Sequence, residues 1–245
     1  MTGPQGELRL VGRLVEASNG TFLAEDDAGA RWVYKPVAGE APLWDFPPAT
    51  LGRREVAAYA LSEELGLGLV PETVWCEGPL GEGSAQAWID GEPTDLVGLL
   101  RPEEITEAWL PIVAGTTEDG ATVVLAHRDD PRLRRMALFD ALLGNSDRKG
   151  AHLIADGERV LGVDHGVSLH VDDKLRTILW GWAGDPLTDD ERAILAVARG
   201  IAAPVAPGLA DEEWEALRAR ADAILAAGAF PVPSGRWPSI PWPPL

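Results

Sequence analysis

Alternating apolar and polar residues mark the first third of the chain as β-rich. The alternation runs through LRLVGRLVEA, resumes in TFLAED after Asn19-Gly20, and continues in ARWVYKPV. Asn-Gly is a strong signal for a tight hairpin turn, and successive side chains of a strand point to opposite faces. The pattern therefore predicts three antiparallel strands, with Trp32 and Tyr34 on one face of the third and Lys35 on the other.

Helical spacing follows in LGRREVAAYALSEELG, where Leu51, Val56 and Tyr59 fall on one side and Gly66 supplies a C-terminal cap. Two short β-like runs, VPETVWCEG and SAQAWID, come next, and the polar stretch GEPTDLVG predicts a connector. We therefore expect an N-terminal lobe over residues 1–90, with its boundary near Gly91.

The rest of the chain is predicted to be mostly helical, in segments near residues 103–113, 131–143, 189–199 and 211–227. One interruption, HLIADGERVLGVDHG, has β-like runs around Asp156-Gly157, which predicts a hairpin. The proline-rich end, FPVPSGRWPSIPWPPL, should be extended, either disordered or laid over the surface by its tryptophans. We expect a second lobe over residues 91–228 and a tail over residues 229–245.

The charge balance argues against two classes of partner. The 245-residue chain has 39 acidic and 21 basic residues, a formal net charge of −18. Nucleic acids and anionic membranes are bound by basic faces, so we expect no nucleic-acid ligand and no stable membrane association. The single Cys76 excludes an intrachain disulfide and a cysteine-based zinc cluster, and the isolated His127 and His170 favour surface or hydrogen-bonded roles. Without a signal-peptide pattern, these features indicate a cytoplasmic protein.

One glycine-bounded loop, GNSDRKGAH, concentrates reactive side chains. Asp147 can orient a hydroxyl group or accept its proton, and Lys149 or Arg148 can stabilise charge on a transferring phosphoryl group. His152 can bind a metal ion, and Asp164, after the hairpin, offers hard oxygen ligands that suit Mg²⁺. Either aspartate taken alone is equally consistent with capping of a turn.

Lys35 needs an anionic partner if its side chain points inward. Glu55, on the following helix, is the natural candidate, and such a pair positions an ammonium group for phosphate. The alternative is a solvated lysine and a surface glutamate, and it is the favoured interpretation when Lys35 is considered without the other motifs. One glycine-containing turn can cover phosphates with its backbone N–H groups, and it consists of Ser18, Asn19, Gly20 and Thr21. A plain hairpin turn is the alternative for these residues.

The order of these features resembles that of a two-lobed kinase: turn, strand lysine, helix glutamate, connector, aspartate loop, hairpin, Asp-His-Gly. DRKGAH is similar to the D-R-x-x-x-N loop of the phosphatidylinositol 3-/4-kinase superfamily, and VDHG is similar to its D-F-G-like motif. The stretches YKPVAGEAPLWDFP, REVAAY, LGNSDRKGAHL and DHGVSLHVDDKLRTILWGW resemble more closely a little-characterised actinobacterial family of lipid-kinase-like proteins.

The resemblance implies an α+β, protein-kinase-like fold with a β-rich N-terminal lobe and a mainly helical C-terminal lobe, binding ATP with Mg²⁺ or Mn²⁺. It implies that Lys35 contacts phosphate and is held by Glu55, that Asp147 is the catalytic-loop aspartate, and that Asp164 and His152 hold metal.

Three positions depart from the superfamily, and one further stretch adds to the site. His152 stands where the superfamily has a metal-binding Asn, which favours Mn²⁺. Lys149 stands where many lipid kinases have His, and His165 replaces the Phe of D-F-G. The stretch around Gln86 and Trp88 resembles the hinge strand, whose backbone would hydrogen-bond adenine.

These assignments predict phosphotransfer from ATP to a hydroxyl group of a soluble inositol or cyclitol, or of a protein, bound by the loops over residues 38–50 and 168–182. Two alternatives keep the nucleotide site and change the outcome. One is AMP transfer to a protein, and the other is a nucleotide-sensing module without turnover.

Overall fold

The N-terminal lobe is built on a five-stranded antiparallel sheet. The computed structural model describes residues 3–14, 19–202, 204–235 and 238–245. The strands stand in the spatial order β1-β2-β3-β5-β4, with the following bounds: β1 Arg9–Arg13, β2 Phe22–Glu25, β3 Arg31–Pro36, β4 Thr73–Gly78 and β5 Gly81–Ala87. The three strands predicted before residue 37 are confirmed, and so are the two β-like runs after the first helix.

The two faces of β3 have different surroundings, as its alternation predicts. Trp32 and Tyr34 are buried in a small apolar cluster on one face of the sheet. Lys35 lies on the other face, opposite Ser84 of β5. Helix α1, Leu51–Glu64, packs over that face and agrees with the helix predicted from residue 51. Strand alternation thus aims Lys35 at α1.

The second lobe contains three long helices and a hairpin that agree with the sequence prediction. The helices are α2 Pro131–Leu143, α3 Asp189–Arg199 and α4 Asp211–Ala227. The hairpin consists of β10 Leu153–Asp156 and β11 Arg159–Gly162, and the short strand β6 Glu92–Pro93 adds to it beside β10. The connector predicted after Gly91 therefore contributes in part to sheet structure.

A three-stranded sheet occupies the region for which a helix was predicted over residues 103–113. Its strands are β7 Val97–Leu100, β8 Trp109–Thr116 and β9 Thr122–Arg128, in the order β7-β9-β8. Within the predicted helix, a 3-10 turn covers Pro102–Glu104 and β8 begins at Trp109. Pro111 has no N–H to donate inside a helix, and the β-branched Ile112 and Val113 favour a strand. The helix prediction is wrong here, and the second lobe holds more strand than expected.

A buried ion pair and a shared core join α1 to the second lobe. Val56 and Leu61 of α1 belong to the same apolar core as Leu133 of α2. The fully buried Arg54 donates to the Ser168 carbonyl at 2.7 Å and to the carboxylate of Glu213 on α4. The glutamate-bearing helix is therefore fixed to both lobes.

The end of the chain is laid over the surface, one of the two courses predicted for it, but its tryptophans do not anchor it. Trp242 is 84% exposed, and Trp237 lies outside the described residues. Its residues 238–245 lie against the second lobe, where the Ser239 carbonyl accepts a hydrogen bond from Thr177 N. Of the described helices, none is both long enough and apolar enough to cross a bilayer.

Candidate active site

Lys35 connects both lobes at the base of the cleft. Its Nζ lies 2.6 Å from Glu55 Oε1 and 2.8 Å from Asp164 Oδ1. Burial lowers the pKa of Lys35, but the two carboxylates outweigh burial and hold the pKa above its ordinary value. The expected contact between Lys35 and Glu55 is present, and Asp164 completes a three-residue charged cluster.

Glu55 joins this cluster to the segment after Asp164. Its second oxygen, Oε2, accepts a hydrogen bond from His165 N at 3.0 Å. Burial raises the pKa of Glu55, and the neighbouring Lys35 ammonium opposes that shift. Each oxygen of this buried carboxylate therefore accepts from one donor within the protein.

Asp164 and His152, the two residues predicted to hold metal, lie next to each other. His152 Nε2 lies 3.5 Å from Asp164 Oδ2. The Lys35 ammonium holds the pKa of Asp164 well below its usual range, and burial lowers the pKa of His152, so the pair is a carboxylate beside a neutral imidazole. The nitrogen of His152 that faces Asp164 is Nε2. The other ring nitrogen, Nδ1, is buried and has no hydrogen-bond partner among the described residues. No group of three His, Cys, Asp or Glu side chains suited to a metal occurs in the described chain.

The loop with Asp147 is shaped by the end of α2. Gly144 caps that helix with a left-handed φ of 62°, a conformation that glycine adopts without strain. Asn145 Nδ2 then donates to Asp140 Oδ1 at 2.9 Å, and Asn145 Oδ1 accepts from Asp147 N at 3.0 Å. Lys149 Nζ lies 3.1 Å from Asp147 Oδ2, so the two predicted catalytic side chains are paired with each other.

Asp147 and Asp164 face one cavity of about 200 Å³. Lys35 and Glu55 also line it, together with Gly20 of the N-terminal turn. Of the two loops expected to bind an acceptor, the first, 38–50, lines one side of the cavity. The second, 168–182, contributes none of the lining residues, although Gly166 and Val167 just before it do.

Arg148 does not face this cavity, which excludes the phosphate-binding alternative considered for it. The side chain is fully buried, and two of its nitrogens lie 2.8 and 3.0 Å from the carboxylate of Asp140. It also donates to the carbonyls of His152 and Val163, at 3.2 and 3.0 Å. Its Nη2 lies 2.7 Å from His165 Nε2. Arg148 thus ties the aspartate loop to both ends of the hairpin, a role that sequence reasoning missed.

His165, at the Phe position of D-F-G, acts as a neutral hydrogen-bond acceptor. It is fully buried, and burial holds its pKa well below the ordinary value. Because Arg148 can only donate, His165 Nε2 accepts, and the ring proton lies on Nδ1.

A second cavity, of about 300 Å³, lies between the sheet of the N-terminal lobe and the hairpin of the second lobe. Its apolar walls were not singled out from the sequence, although Val33 shares its strand face with Lys35. They comprise Leu14 and Val33 on one side and Ile154 and Val163 on the other.

Gln86 and Trp88 line this cavity, but their polar side-chain groups are engaged within the protein. Gln86 Nε2 donates to Thr73 Oγ1 at 2.9 Å, and Trp88 Nε1 donates to Asp90 Oδ1 at 3.1 Å. The main-chain N–H of Trp88 is engaged as well, with the Arg31 carbonyl at 2.9 Å, so Trp88 has no N–H left to donate to a ligand.

The N-terminal turn folds down over the cleft. Gly20 N donates to the Gly39 carbonyl at 2.8 Å, and Asn19 Oδ1 accepts from Ala41 N at 2.8 Å. The Gly20 N–H is consequently engaged in this conformation and not directed at the cavity. Thr21 lines the larger cavity, and Ser18 lies outside the described residues.

Comparisons with known proteins agree with this architecture. No family model matches the chain. Over 91% of its length it is similar to the crystal structure of the Golgi casein kinase, with a TM-score of 0.53 and 13% identity, covering 72% of that chain. The Golgi casein kinase with Mn/ADP bound gives a TM-score of 0.54 at 14% identity, covering 91% of this chain and 73% of that one. The fold is therefore kinase-like.

A relative similar along nearly the whole chain is the protein Rv2133c of Mycobacterium tuberculosis. The two are 46% identical over 258 residues, which cover 97% of this chain and 92% of the relative. The chain belongs to the family of this mycobacterial protein.

Proposed function

We propose that this protein is an ATP- and divalent-metal-dependent phosphotransferase that acts on a hydroxyl group. The observation that carries the proposal is the position of Lys35, bonded at once to Glu55 and Asp164, with Asp147 on the same cavity. A lysine held by a helix glutamate, beside a metal-binding aspartate and a catalytic-loop aspartate, is the arrangement that kinase-type phosphoryl transfer requires.

In this proposal the nucleotide occupies the larger cavity, with adenine between Val33 and Ile154 and its phosphates towards Lys35. The main chain at Ile89, just past Trp88, would hold the base, since the Trp88 N–H is bonded to the Arg31 carbonyl. The lobe boundary lies near Gly91. The Lys35 ammonium binds a phosphate oxygen. Glu55 keeps that ammonium in place, because a buried lysine needs a carboxylate partner to stay charged.

Asp164 and His152 would hold Mg²⁺ or Mn²⁺. A bound ion neutralises the negative charge of the phosphates. The imidazole of His152 suits Mn²⁺ better than Mg²⁺, because the smaller, harder ion prefers oxygen ligands. The neutral state of His152 leaves its Nε2 able to coordinate.

Asp147 orients the acceptor hydroxyl and takes its proton. The acceptor oxygen forms a bond to the γ-phosphorus as the bond from that phosphorus to the β,γ-bridging oxygen breaks, and ADP leaves. Lys149, 3.1 Å from Asp147, lies close enough to offset charge on the transferred group.

The acceptor we favour is a soluble inositol or cyclitol, or a hydroxyl side chain of a protein, in keeping with the resemblance to the phosphatidylinositol 3-/4-kinase superfamily. The formal charge of −18 argues against an anionic membrane lipid.

The test is ATP consumption with Mg²⁺ or Mn²⁺ in the presence of inositols, inositol phosphates, phosphoinositides or cell lysate, with mass spectrometry of the products. The wild type is compared with Asp147→Ala and with the control Asp222→Ala, whose side chain is exposed on α4. A product heavier by one phosphoryl group, lost in Asp147→Ala and kept in Asp222→Ala, is the expected result.

Two other results would replace the proposal. A protein heavier by one AMP would establish adenylyl transfer at the same site. Metal-dependent ATP binding without any product across the panel would favour a nucleotide-sensing module.

A further inference from the structure

The tail of the chain contacts the loop that carries Lys149 and His152. The Pro244 carbonyl accepts a hydrogen bond from Gly150 N at 2.8 Å. The Leu245 side chain lies against Gly150, where a Cβ atom would stand 2.5 Å from Leu245 Cδ2. Gly150 begins the 3-10 turn Gly150–His152. The tail therefore bonds to the first residue of the turn that presents His152 to Asp164.

A second contact of the tail lies on the segment that flanks the same loop. The Ser239 carbonyl accepts hydrogen bonds from Thr177 N at 3.0 Å and from Trp180 Nε1 at 2.8 Å. One main-chain carbonyl thus fixes two neighbouring residues of the second lobe.

The flanking segment is in turn hydrogen-bonded to the aspartate loop. Arg148 N donates to the Arg176 carbonyl at 3.0 Å, Ile178 N donates to the Arg148 carbonyl at 3.3 Å, and Arg176 N donates to the Asn145 carbonyl at 2.9 Å. The flanking segment, residues 176–180, therefore hydrogen-bonds to the aspartate loop on one side and to the tail on the other.

Apolar anchors hold the tail between its two contact points. Ile240 packs against the main core, and Pro241 is buried. Trp242 is 84% exposed and makes the outer side of the tail. The residues at 240 and 241 thus fix the tail to the body of the protein, and the residues at 244 and 245 reach the loop.

We propose that residues 239–245 position the catalytic loop, and that Pro244 and Leu245 hold Lys149 and His152 in their working places. The inference rests on the proposed function, because it assigns the tail a role in that same site. Pro244 and Leu245 act as positioning residues. A loop without regular secondary structure is ordered only as far as its backbone groups find partners, and the tail supplies one of those partners.

The experiment compares the full chain with a chain that stops after Pro243. This variant loses the Pro244 carbonyl and keeps the anchors Ile240 and Pro241. Trp242→Phe is the matched control in the same tail, because its side chain is exposed. The three proteins are measured by amide hydrogen exchange, by Mn²⁺ affinity in the presence of ADP, and by steady-state kinetics.

We expect the shortened chain to exchange the Gly150 amide at least about tenfold faster, since its hydrogen-bond partner is gone. Turnover should fall about fivefold, the equilibrium value of one lost hydrogen bond, with an unchanged KM for ATP. Mn²⁺ affinity should fall with it, because His152 lies in the released turn. In a further variant that stops after Pro238, turnover should also fall. A synthetic peptide of residues 239–245 should restore it in part, which separates positioning from a loss of folding.

Unchanged exchange at Gly150 and unchanged Mn²⁺ affinity in the shortened chain would overturn the inference. These two measurements do not depend on catalysis. Absence of phosphotransfer in the full chain would therefore count against the proposed function alone, and the tail would be judged on exchange and metal affinity.

Discussion

Single side chains in the cleft are paired with one another before any ligand binds. Lys35 contacts Glu55 and Asp164, and Lys149 contacts Asp147. Each pair satisfies groups that would be costly to leave alone in a partly buried site. Binding of a phosphate must redistribute these contacts, so a change in one carboxylate should alter ligand affinity as well as turnover.

Glu55→Gln tests how the lysine is held. A glutamine has one carbonyl oxygen and cannot accept from both Lys35 Nζ and His165 N with the strength of a carboxylate. We expect the affinity for ATP with Mn²⁺ to fall about tenfold, the scale of one charge-assisted hydrogen bond. Isothermal titration calorimetry measures it.

The matched control for this change is Glu64→Gln, an exposed residue of the same helix. Equal ATP affinity in wild type and Glu55→Gln would show that Glu55 is not needed to hold the lysine.

Secondary-structure elements with long, regular patterns were predicted well from the sequence. Strand alternation identified β3, and the length of the helical segments, with glycine or proline at their ends, identified α1 and the three later helices. The helix prediction for residues 103–113 was wrong because the spacing of a few apolar residues does not separate a helix from a strand. Pro111 was the residue that argued against a helix.

The site was predictable as far as chain order specifies it. Lys35 and Glu55 lie on consecutive elements, so their contact follows from strand alternation and helix packing. The pairing of Arg148 with Asp140 depends on how the loop folds back onto the end of α2, and the engagement of Gly20 N by Gly39 depends on how the N-terminal turn packs on the segment after β3. A local pattern contains no signal for such contacts, and sequence reasoning missed both.

His127 couples strand β9 to the turn before α3. The sequence predicted a surface or hydrogen-bonded role, and the structure shows the second. The ring is fully buried, its Nε2 accepts from Gly181 N at 3.1 Å, and its Nδ1 lies 2.8 Å from the Arg128 carbonyl. Nδ1 therefore carries the proton, and burial lowers the pKa of His127.

This element contact should make stability depend on pH. The unfolded chain binds a proton at His127 as the pH falls through about 6.5, whereas the folded chain resists it, so stability is present above that pH and lost below it. We expect the free energy of unfolding in urea to fall between about pH 7 and pH 5, and to fall less steeply in His127→Gln.

In His127→Gln the free energy of unfolding should still depend on pH, but less strongly than in the wild type, because burial also lowers the pKa values of His152 and His165. An identical pH dependence in wild type and His127→Gln would contradict this account of the contact.

The cavities of about 200 and 300 Å³ both lie between the two lobes of the whole molecule, so under the proposed function a bound nucleotide would contact both lobes. A ligand that binds only the folded state stabilises it by mass action, by about 2.7 kcal/mol at one hundred times its Kd. We expect the melting temperature to rise with ADP and Mn²⁺ together, and to return to that of the ligand-free protein when a chelator removes the ion.

Asp164→Asn should remove this metal-dependent rise, because the amide cannot replace the carboxylate charge beside His152. A variant at the exposed Asp222 serves as the control. A rise with ADP that is the same with and without metal would argue against a metal site at Asp164.

The buried pair of Arg54 and Glu213 has a consequence for control of the whole molecule. In kinases, displacement of the glutamate-bearing helix separates lysine from glutamate and switches activity off. Here an outward movement of α1 would leave the buried Arg54 guanidinium and the buried Glu213 carboxylate without their partners, at a cost of about 3–5 kcal/mol. Under the proposed function, this pair therefore opposes inactivation by displacement of the helix, and turnover would follow the supply of nucleotide, metal and acceptor.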